Sequence, residues 1–186
     1  MQYSEIGPGV REDYDHFSLF ADTEINSTRN WMQVLYGLAR ANGARSIVEI
    51  GVMQGVTTSM LAHALRQNGG GRLTAVDINP ANLDIARARV ARNGLADLVQ
   101  FVQGDSHSVA TVEFDLLFID GDHSYEGCSG DWEHWAPRAV PGGIVCIHDT
   151  RDARIARFLS EGQRFAEWQV INFDGDCGMA ILRRRF

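Results

Sequence analysis

The sequence predicts an α/β fold built on a doubly wound, mostly parallel sheet. From residue 46 onward, β-rich runs alternate with segments of helical periodicity, which is typical of strand-helix-strand units. Right-handed crossovers between such units place helices on both faces of a parallel sheet. The last two β-rich runs have no helix between them and flank Asp174-Gly175-Asp176, which predicts an antiparallel hairpin at the end of the chain.

Each element follows from local sequence signals. The predicted strands are Ser46–Ile50, Leu73–Asp77, Leu98–Gln103, Phe114–Asp120, Ile144–Ile147, Trp168–Phe173 and Cys177–Leu182. Helices are predicted over residues 29–41, 57–67, 80–92 and 125–136, with a further helix after Thr150 as its N-cap. Asn79-Pro80 supplies an N-cap and an N1 proline, and Pro141-Gly142-Gly143 predicts a turn.

Length, charge and cysteine usage limit the class of protein. A chain of 186 residues predicts a single domain, with residues 1–44 as an N-terminal extension and residues 45–186 as the core. The net charge of −7 argues against a general nucleic-acid binder, and no apolar run approaches the roughly 20 residues that span a membrane. The N-terminus lacks a signal-peptide pattern, and three cysteines without a CxxC pair suggest reduced thiols, so we expect a cytoplasmic protein.

Two common nucleotide-binding motifs are absent from the sequence, a dinucleotide fingerprint after the first strand and a P-loop lysine anywhere in the chain. The loop after the first strand reads Glu49-x-Gly51-x-x-x-Gly55, with Met53 and Val56 where a dinucleotide fingerprint needs its second and third glycines. All 17 basic residues are arginines, so the chain has neither a P-loop lysine nor a Tyr-x-x-x-Lys pair. These absences argue against a NAD-dependent oxidoreductase. An acid before the first glycine suits a positively charged ligand group better than a pyrophosphate.

Two further strand ends carry polar signals suited to an adenosine. Asp77, followed by Ile78, ends the second strand, where a carboxylate can accept hydrogen bonds from ribose hydroxyls. Gly104-Asp105-Ser106 follows the third strand, where a carboxylate can accept from an adenine amine. Ribose, adenine and a cationic amino-acid-like group are the parts of S-adenosylmethionine.

Taken in order, these motifs resemble the class I S-adenosylmethionine-dependent methyltransferases. Phe118-Ile-Asp120-Gly-Asp-His123 and His148-Asp149-Thr150 are similar to the catechol-methyltransferase-like, small-molecule O-methyltransferases. The resemblance implies a Rossmann-like, seven-stranded sheet in the order 3-2-1-4-5-7-6, with strand seven antiparallel. It implies the following cofactor contacts: Gly51 and Gly55 beside the methionine part, Glu49 at its ammonium, Asp77 with Ile78 at the ribose, Gly104, Asp105 and Ser106 at the adenine, and Asp120 at the fourth strand end.

Two routes to an activated acceptor remain open. In the first, His123 takes the proton from a substrate hydroxyl as general base, with Asp120 holding it in one tautomer. In the second, Asp120 and Asp149 at neighbouring strand ends bind Mg²⁺ or another divalent cation that lowers the pKa of the hydroxyl. Metal-dependent members of the resembled family carry Asn or Asp after the strand-five acid, whereas this chain has Thr150.

The expected activity is methyl transfer to a hydroxyl of a small molecule, namely a phenol, a catechol or a sugar. An N-methyltransferase, which needs no strong base, and a non-catalytic S-adenosylmethionine-binding protein remain as alternatives. The aromatic residues Tyr14, Phe17 and Phe20 of the N-terminal segment favour either a lid over the active site or a homodimer contact.

Overall fold

A computed structural model of the chain describes residues 29–175 and 177–185. The helices are α1 (Arg29–Ala41), α2 (Val56–Gln67), α3 (Pro80–Arg92), α4 (Tyr125–Trp135) and α5 (Ala153–Leu159). The strands are β1 (Ser46–Ile50), β2 (Arg72–Asp77), β3 (Val99–Gln103), β4 (Phe114–Ile119), β5 (Ala139–His148), β6 (Trp168–Phe173) and β7 (Met179–Arg184). Short 3₁₀ turns occupy Ala96–Leu98, Ala136–Arg138 and Gly162–Phe165.

The seven strands form one sheet in the order β3-β2-β1-β4-β5-β7-β6, which confirms the predicted topology. The first five strands of the chain pair in parallel, so their carboxyl ends meet at one edge. β7 is antiparallel to both β5 and β6, which confirms the terminal hairpin. The strand order reverses between β1 and β4, and ligands of open α/β sheets bind at such a switch point.

Alternating strand residues supply two apolar layers, one on each face of the sheet. On the first face, Ile47 and Phe118 pack with Leu35 of α1 and Leu61 of α2. α3 lies on the same face, where its side chains contact Ala75 of β2. On the second face, α4 and α5 cover the residues of β1, β4 and β5 whose side chains point the other way. This two-sided burial explains why the strands read as almost continuous apolar runs.

Two local predictions were wrong. Pro141-Gly142-Gly143 lies inside β5, which begins at Ala139, and the pairing of β4 with β5 shifts register there. This irregularity accommodates the proline and the positive φ of Gly142 without ending the strand. Thr150 is not the cap of α5, because the side chain of Asp152 accepts the hydrogen bond from the backbone N–H of Arg154.

Further predictions from the sequence concern the N-terminal extension and membrane spans. Residues 1–28 of the predicted N-terminal extension, including Tyr14, Phe17 and Phe20, lie outside the described residues, and the division at residue 44 stays a prediction. The described helix α1 packs on the sheet through its buried face. Among the described residues, every helix is too short or too polar to traverse a lipid bilayer.

The close approach of the residue after β1 to the residue after β4 requires glycine at position 51. Gly51 has a φ of +85°, and a Cβ there would lie 2.1 Å from the carbonyl oxygen of Asp120. Gly51→Ala should therefore destabilise the fold by about 2–5 kcal/mol, from left-handed backbone strain and overpacking. Urea denaturation of both proteins measures the change.

Gly162→Ala is the matched control, because nothing lies within 4 Å of a Cβ at that position. We expect it to change the free energy of unfolding by no more than about 0.5 kcal/mol. A Gly51→Ala protein as stable as this control would contradict the steric argument.

Candidate active site

A cavity of about 960 Å³ opens at the carboxyl edge of the parallel strands. Its walls come from the loops after β1, β2, β3, β4 and β5, and the switch point lies between them. Most residues that the sequence nominates line this cavity: Gly51, Asp77, Ile78, Gly104, Asp105, Ser106, Asp120, His123 and Asp149. The structure thus brings together polar groups that are separated by almost one hundred residues in the chain.

Asp77 organises the loop that follows β1. Its Oδ2 atom accepts the backbone N–H groups of Val52 and Met53, each at 3.0 Å, and the side-chain amide of Asn82 at 3.1 Å. Its Oδ1 atom accepts the backbone N–H of Asn79 at 2.8 Å. Burial favours the neutral carboxyl, but these hydrogen bonds outweigh burial and lower the pKa of Asp77.

Two predicted cofactor residues do not line the cavity. A Cβ on Gly55 would lie 2.6 Å from the Cβ of Ala86, so this glycine allows α3 to pack closely on the loop after β1. Glu49 is 0% exposed, and neither of its carboxylate oxygens has a hydrogen-bond partner among the described residues. Burial raises the pKa of Glu49 to about 8, and the negative charges of Asp120 and Asp77 act in the same direction.

The loop after β3 is supported by a buried acid that the sequence analysis did not single out. Asp131 of α4 is 1% exposed, and its Oδ1 atom lies 3.3 Å from Nε2 of His107. Burial raises the pKa of Asp131 to about 6, while the side chain of Ser106 and the charge of His107 act in the opposite direction. The indole of Trp135 donates to the backbone oxygen of Ser106 at 2.9 Å, which anchors the same loop to the core.

A signal for Asp131 is present in the sequence. Cys128, Asp131, Trp132 and Trp135 follow helical spacing on one face of α4, so the acid stands within an apolar stripe. An ionisable group on such a face needs a partner, and the nearest described one is the His107 ring, 3.3 Å away.

Apolar side chains are exposed at the mouth of the cavity. Ile78 is 72% exposed directly after Asp77, and Met53 of the first loop is 62% exposed. Both line the cavity. Exposed apolar side chains beside hydrogen-bonding groups are typical of a site for a flat, partly apolar ligand.

At the ends of β4 and β5, two histidines lie between two carboxylates. His123 Nε2 is 3.4 Å from Oδ1 of Asp120, and its Nδ1 is 3.2 Å from Oδ2 of Asp149. His148 Nδ1 lies 3.1 Å from Oδ1 of Asp120 and 3.4 Å from Oδ1 of Asp149. The predicted proximity of these two strand ends is therefore present, with a second imidazole between them.

These contacts shift the pKa values of His123 and Asp120. The hydrogen bond to Asp120 raises the pKa of His123, and the negative charge of Asp149 adds to the effect. Burial would raise the pKa of Asp120, but hydrogen bonds from His123 and His148 outweigh it and lower that pKa. Near neutral pH the arrangement holds ionised Asp120 against a readily protonated His123.

One set of donors here fits a divalent cation by chemical type. Asp120, His123 and Asp149 each offer a ligand atom, and these atoms lie within 4.8 Å of one another. Two nearby polar residues, Asp122 and Thr150, have structural contacts instead. Asp122 accepts from the backbone N–H and the hydroxyl of Ser124 at the start of α4, and Thr150 Oγ1 lies against Gly178.

The remaining wall of the cavity comes from residues that sequence reasoning left aside. Trp31 and Met32 of α1 line it, and the Trp31 ring lies 4.3 Å from the ring of His148. Cys177, from the turn between β6 and β7, lines it as well. Cys128 and Cys146 are buried core residues, whereas Cys177 is half-buried.

Comparison with known proteins agrees with this geometry. A family model described as a methyltransferase domain matches residues 48–150. A putative O-methyltransferase of Mycobacterium bovis is 32% identical over 161 residues, which cover 74% of this chain and 70% of that protein. A catechol O-methyltransferase of Mycobacterium tuberculosis is 33% identical over 116 residues, or 60% of this chain, and the chain spans about half (50%) of that relative's length.

Solved structures show the same fold. The O-methyltransferase of Bacillus cereus, in complex with SAH, superposes with a TM-score of 0.75 at 20% identity, covering 99% of this chain and 94% of that one. An O-methyltransferase of Streptomyces achromogenes, in complex with SAM, gives a TM-score of 0.70 at 19% identity, with 98% and 92% covered.

The buried carboxyl of Glu49 predicts a pH-dependent stability. Because its pKa is raised in the folded state, its contribution is fully present below the ordinary pKa of 4.5 and is lost as the pH rises to about 8. Glu49→Gln removes this titration. The variant should gain stability over the natural protein across that interval, by up to about 1.4 kcal/mol per pH unit.

Urea denaturation of both proteins at about pH 5, 7 and 9 measures the difference. A constant difference across the series would mean that Glu49 does not titrate in this interval.

Proposed function

This chain belongs to the methyltransferase domain family, and we propose that it transfers a methyl group from S-adenosylmethionine to a hydroxyl of a small molecule. One observation carries the proposal. The loops after β1, β2 and β3 supply groups for an adenosine and an amino-acid moiety, and the same cavity continues to His123 between Asp120 and Asp149. The cofactor, when bound, supplies an electrophilic methyl group on a sulfonium.

Asp77 would hold the ribose. Three donors from the described residues engage Oδ2, whereas one engages Oδ1, so Oδ1 has capacity to accept from a hydroxyl. Because its pKa is lowered, Asp77 stays ionised and makes a strong acceptor. Gly51 lines the same cavity, and its backbone would lie beside the methionine part.

The loop after β3 would hold the adenine. Asp105 and Ser106 line the same cavity as the exposed side chain of Ile78, which offers an apolar surface to a flat base. The pairing of His107 with Asp131 and the indole bond to Ser106 position this loop. Gly55 contributes by packing against Ala86, which places α3 next to the site.

Glu49, which is buried outside the cavity lining, would act on the charge of the ammonium end of the cofactor. Its carboxyl is buried without a hydrogen-bond partner among the described residues, and its pKa is raised to about 8. A nearby positive charge lowers the pKa of such a group, so binding would favour its ionised form.

His123 would take the proton of the acceptor hydroxyl. Nδ1 faces Asp149 and Nε2 faces Asp120. To act as the base, a neutral imidazole would keep its N–H on one carboxylate while the acceptor hydroxyl replaces the contact of the other nitrogen. Because the pKa of His123 is raised, this neutral form gains population only as the pH rises above 6.5.

A divalent cation is the second route to an activated hydroxyl. Asp120 and Asp149, with His123, would hold it, and their donor atoms lie within 4.8 Å of one another. Carboxylate oxygens suit Mg²⁺, and a bound cation lowers the pKa of the hydroxyl. In this route His123 would be a metal ligand and not the general base.

The acceptor faces an apolar wall. Trp31 and Met32 line the cavity next to His148, which favours a phenol or catechol over a sugar. An N-methyltransferase would modify amines without dependence on His123. A non-catalytic protein would bind the cofactor without turnover, and an oxidoreductase would bind NAD.

Asp77→Asn should weaken binding of S-adenosylhomocysteine by roughly tenfold to a hundredfold, because it removes a charge-assisted acceptor and loosens the loop after β1. Isothermal titration calorimetry measures the dissociation constant. Asp84→Asn is the matched control, since Asp84 is an exposed residue of α3. Equal affinities of the two variants would remove Asp77 from the cofactor site.

His123→Gln should lower kcat for a phenolic acceptor by about 10²–10⁴-fold, the usual contribution of a general base, while the affinity for S-adenosylhomocysteine stays unchanged. The natural enzyme should gain activity as the pH rises through the raised pKa of His123, and the variant should lose this dependence. Labelled methyl transfer across a pH series measures both. His134→Gln, outside the cavity-lining set, is the control.

Removal of divalent cations with a chelator, in the same methyl-transfer assay, distinguishes the general-base route from the cation route. Unchanged activity after removal of divalent cations supports His123 as base without a metal. Activity that is lost and restored by Mg²⁺ supports the cation route. Full activity of His123→Gln without metal would contradict both assignments.

A further inference from the structure

A second group of ligand-type side chains lies on the cavity wall beyond His123. One ring nitrogen of His148, a carboxylate oxygen of Asp149 and the sulfur of Cys177 lie within 4.8 Å of one another, and all three residues line the cavity. We propose that His148, Asp149 and Cys177 form a site for a borderline transition-metal ion of the Zn²⁺ class. This site is distinct from the Asp120–His123–Asp149 set and shares Asp149 with it.

His148 is held in the way a metal-binding histidine is held. It is 6% exposed, and its Nδ1 atom lies 3.1 Å from Oδ1 of Asp120 and 3.4 Å from Oδ1 of Asp149. Its Nε2 atom is buried and has no hydrogen-bond partner among the described residues. A ring N–H donated to a carboxylate fixes the tautomer that leaves the other nitrogen as a lone-pair donor, and an outer carboxylate of this kind is the usual support of a metal ligand.

The backbone brings the other two donors to His148. Asp149 directly follows β5 and has a φ of +54°, a left-handed conformation that is uncommon for a residue with a side chain. The turn that carries Cys177 is tied to this segment, because the N–H of Arg151 donates to the oxygen of Cys177 at 3.2 Å and the N–H of Thr150 to that of Gly178 at 3.4 Å. Strain at a strand end that is held from outside is typical of functional positions.

The chemical types of the three ligand atoms determine which metal ion the site would bind. A thiolate, an imidazole and a carboxylate suit Zn²⁺ and its neighbours, whereas Mg²⁺ prefers oxygen alone. Donors around a tetrahedral Zn²⁺ stand roughly 3.3–3.8 Å apart, given metal–ligand lengths of about 2.0–2.3 Å. Rotamer adjustments of about 1 Å bring the present atoms into that range.

Three protein ligands leave a fourth position for water or an oxygen of the acceptor, since the site faces the cavity. The chemistry of the proposed ligand is therefore a divalent transition metal that also accepts a hydroxyl or phenolate oxygen. Metal binding at this site does not require the methyl donor. The metal-site proposal can therefore be wrong while the proposed methyl transfer is correct.

Co²⁺ titration of the full-length, metal-free protein tests the site by absorption spectroscopy. Thiolate ligation produces an intense ligand-to-metal charge-transfer band in the near ultraviolet, and a tetrahedral environment produces visible d–d bands. We expect both bands, with displacement by Zn²⁺ and not by Mg²⁺. Cys177→Ser should abolish the charge-transfer band and weaken Zn²⁺ binding by more than the ~10–100-fold that loss of an outer partner costs.

The controls separate this site from its neighbours. Cys128→Ala should keep the band, because Cys128 is a buried core thiol whose pKa burial raises to about 12. His123→Gln should keep it at saturating Co²⁺, and Asp149→Asn should weaken binding. Circular dichroism of each variant verifies folding.

Three outcomes would overturn the proposal. They are no Co²⁺ binding, binding without a charge-transfer band, and a band that survives in a folded Cys177→Ser protein. Calorimetry with S-adenosylhomocysteine on the same samples reports independently on the cofactor site.

Discussion

The carboxylate of Asp77 is the interaction on which the rest of the site depends. It ends β2 but accepts the N–H groups of Val52 and Met53, so it ties the loop after β1 to the neighbouring strand. It also accepts from Asn79 and Asn82 around the start of α3. Because buried amides need partners, one side chain determines the path of the loop, the entry of α3 and the floor of the cavity. The wall against which an adenosine would rest follows from that path.

Negative charge is concentrated at this edge of the sheet, and the structure accommodates it in three ways. Asp77 is stabilised by backbone and amide donors, and Asp120 by the two imidazoles of His123 and His148. Glu49 has neither, so burial raises its pKa and favours the neutral form. A cavity surrounded by such groups favours a ligand with positive charge, which agrees with a sulfonium cofactor. The same arrangement makes the protonation of His123 sensitive to what occupies the cavity.

Much of the fold and a large part of the site could be predicted from local signals. Gly51, Asp77 and Asp120 stand at the ends of apolar runs, and parallel strands necessarily bring such positions to one edge. Asn79-Pro80 begins α3 as expected, since capping depends on near neighbours alone. The strand order rested on the family resemblance, because pairing between strands distant in sequence leaves no local signal. Contacts such as that of Asp131 with His107 were missed for the same reason.

The sequence by itself determined the order of strands and helices, the positions of the polar residues after each strand, and the family to which the chain belongs. Only the tertiary structure decided which of these residues share a wall and which are buried. It buried Glu49 completely, assigned Gly55 to helix packing, and brought Cys177 from the terminal hairpin to His148. The physical reason is that periodicity and capping act over a few residues, whereas burial, charge and donor geometry depend on groups that meet only when the sheet is assembled.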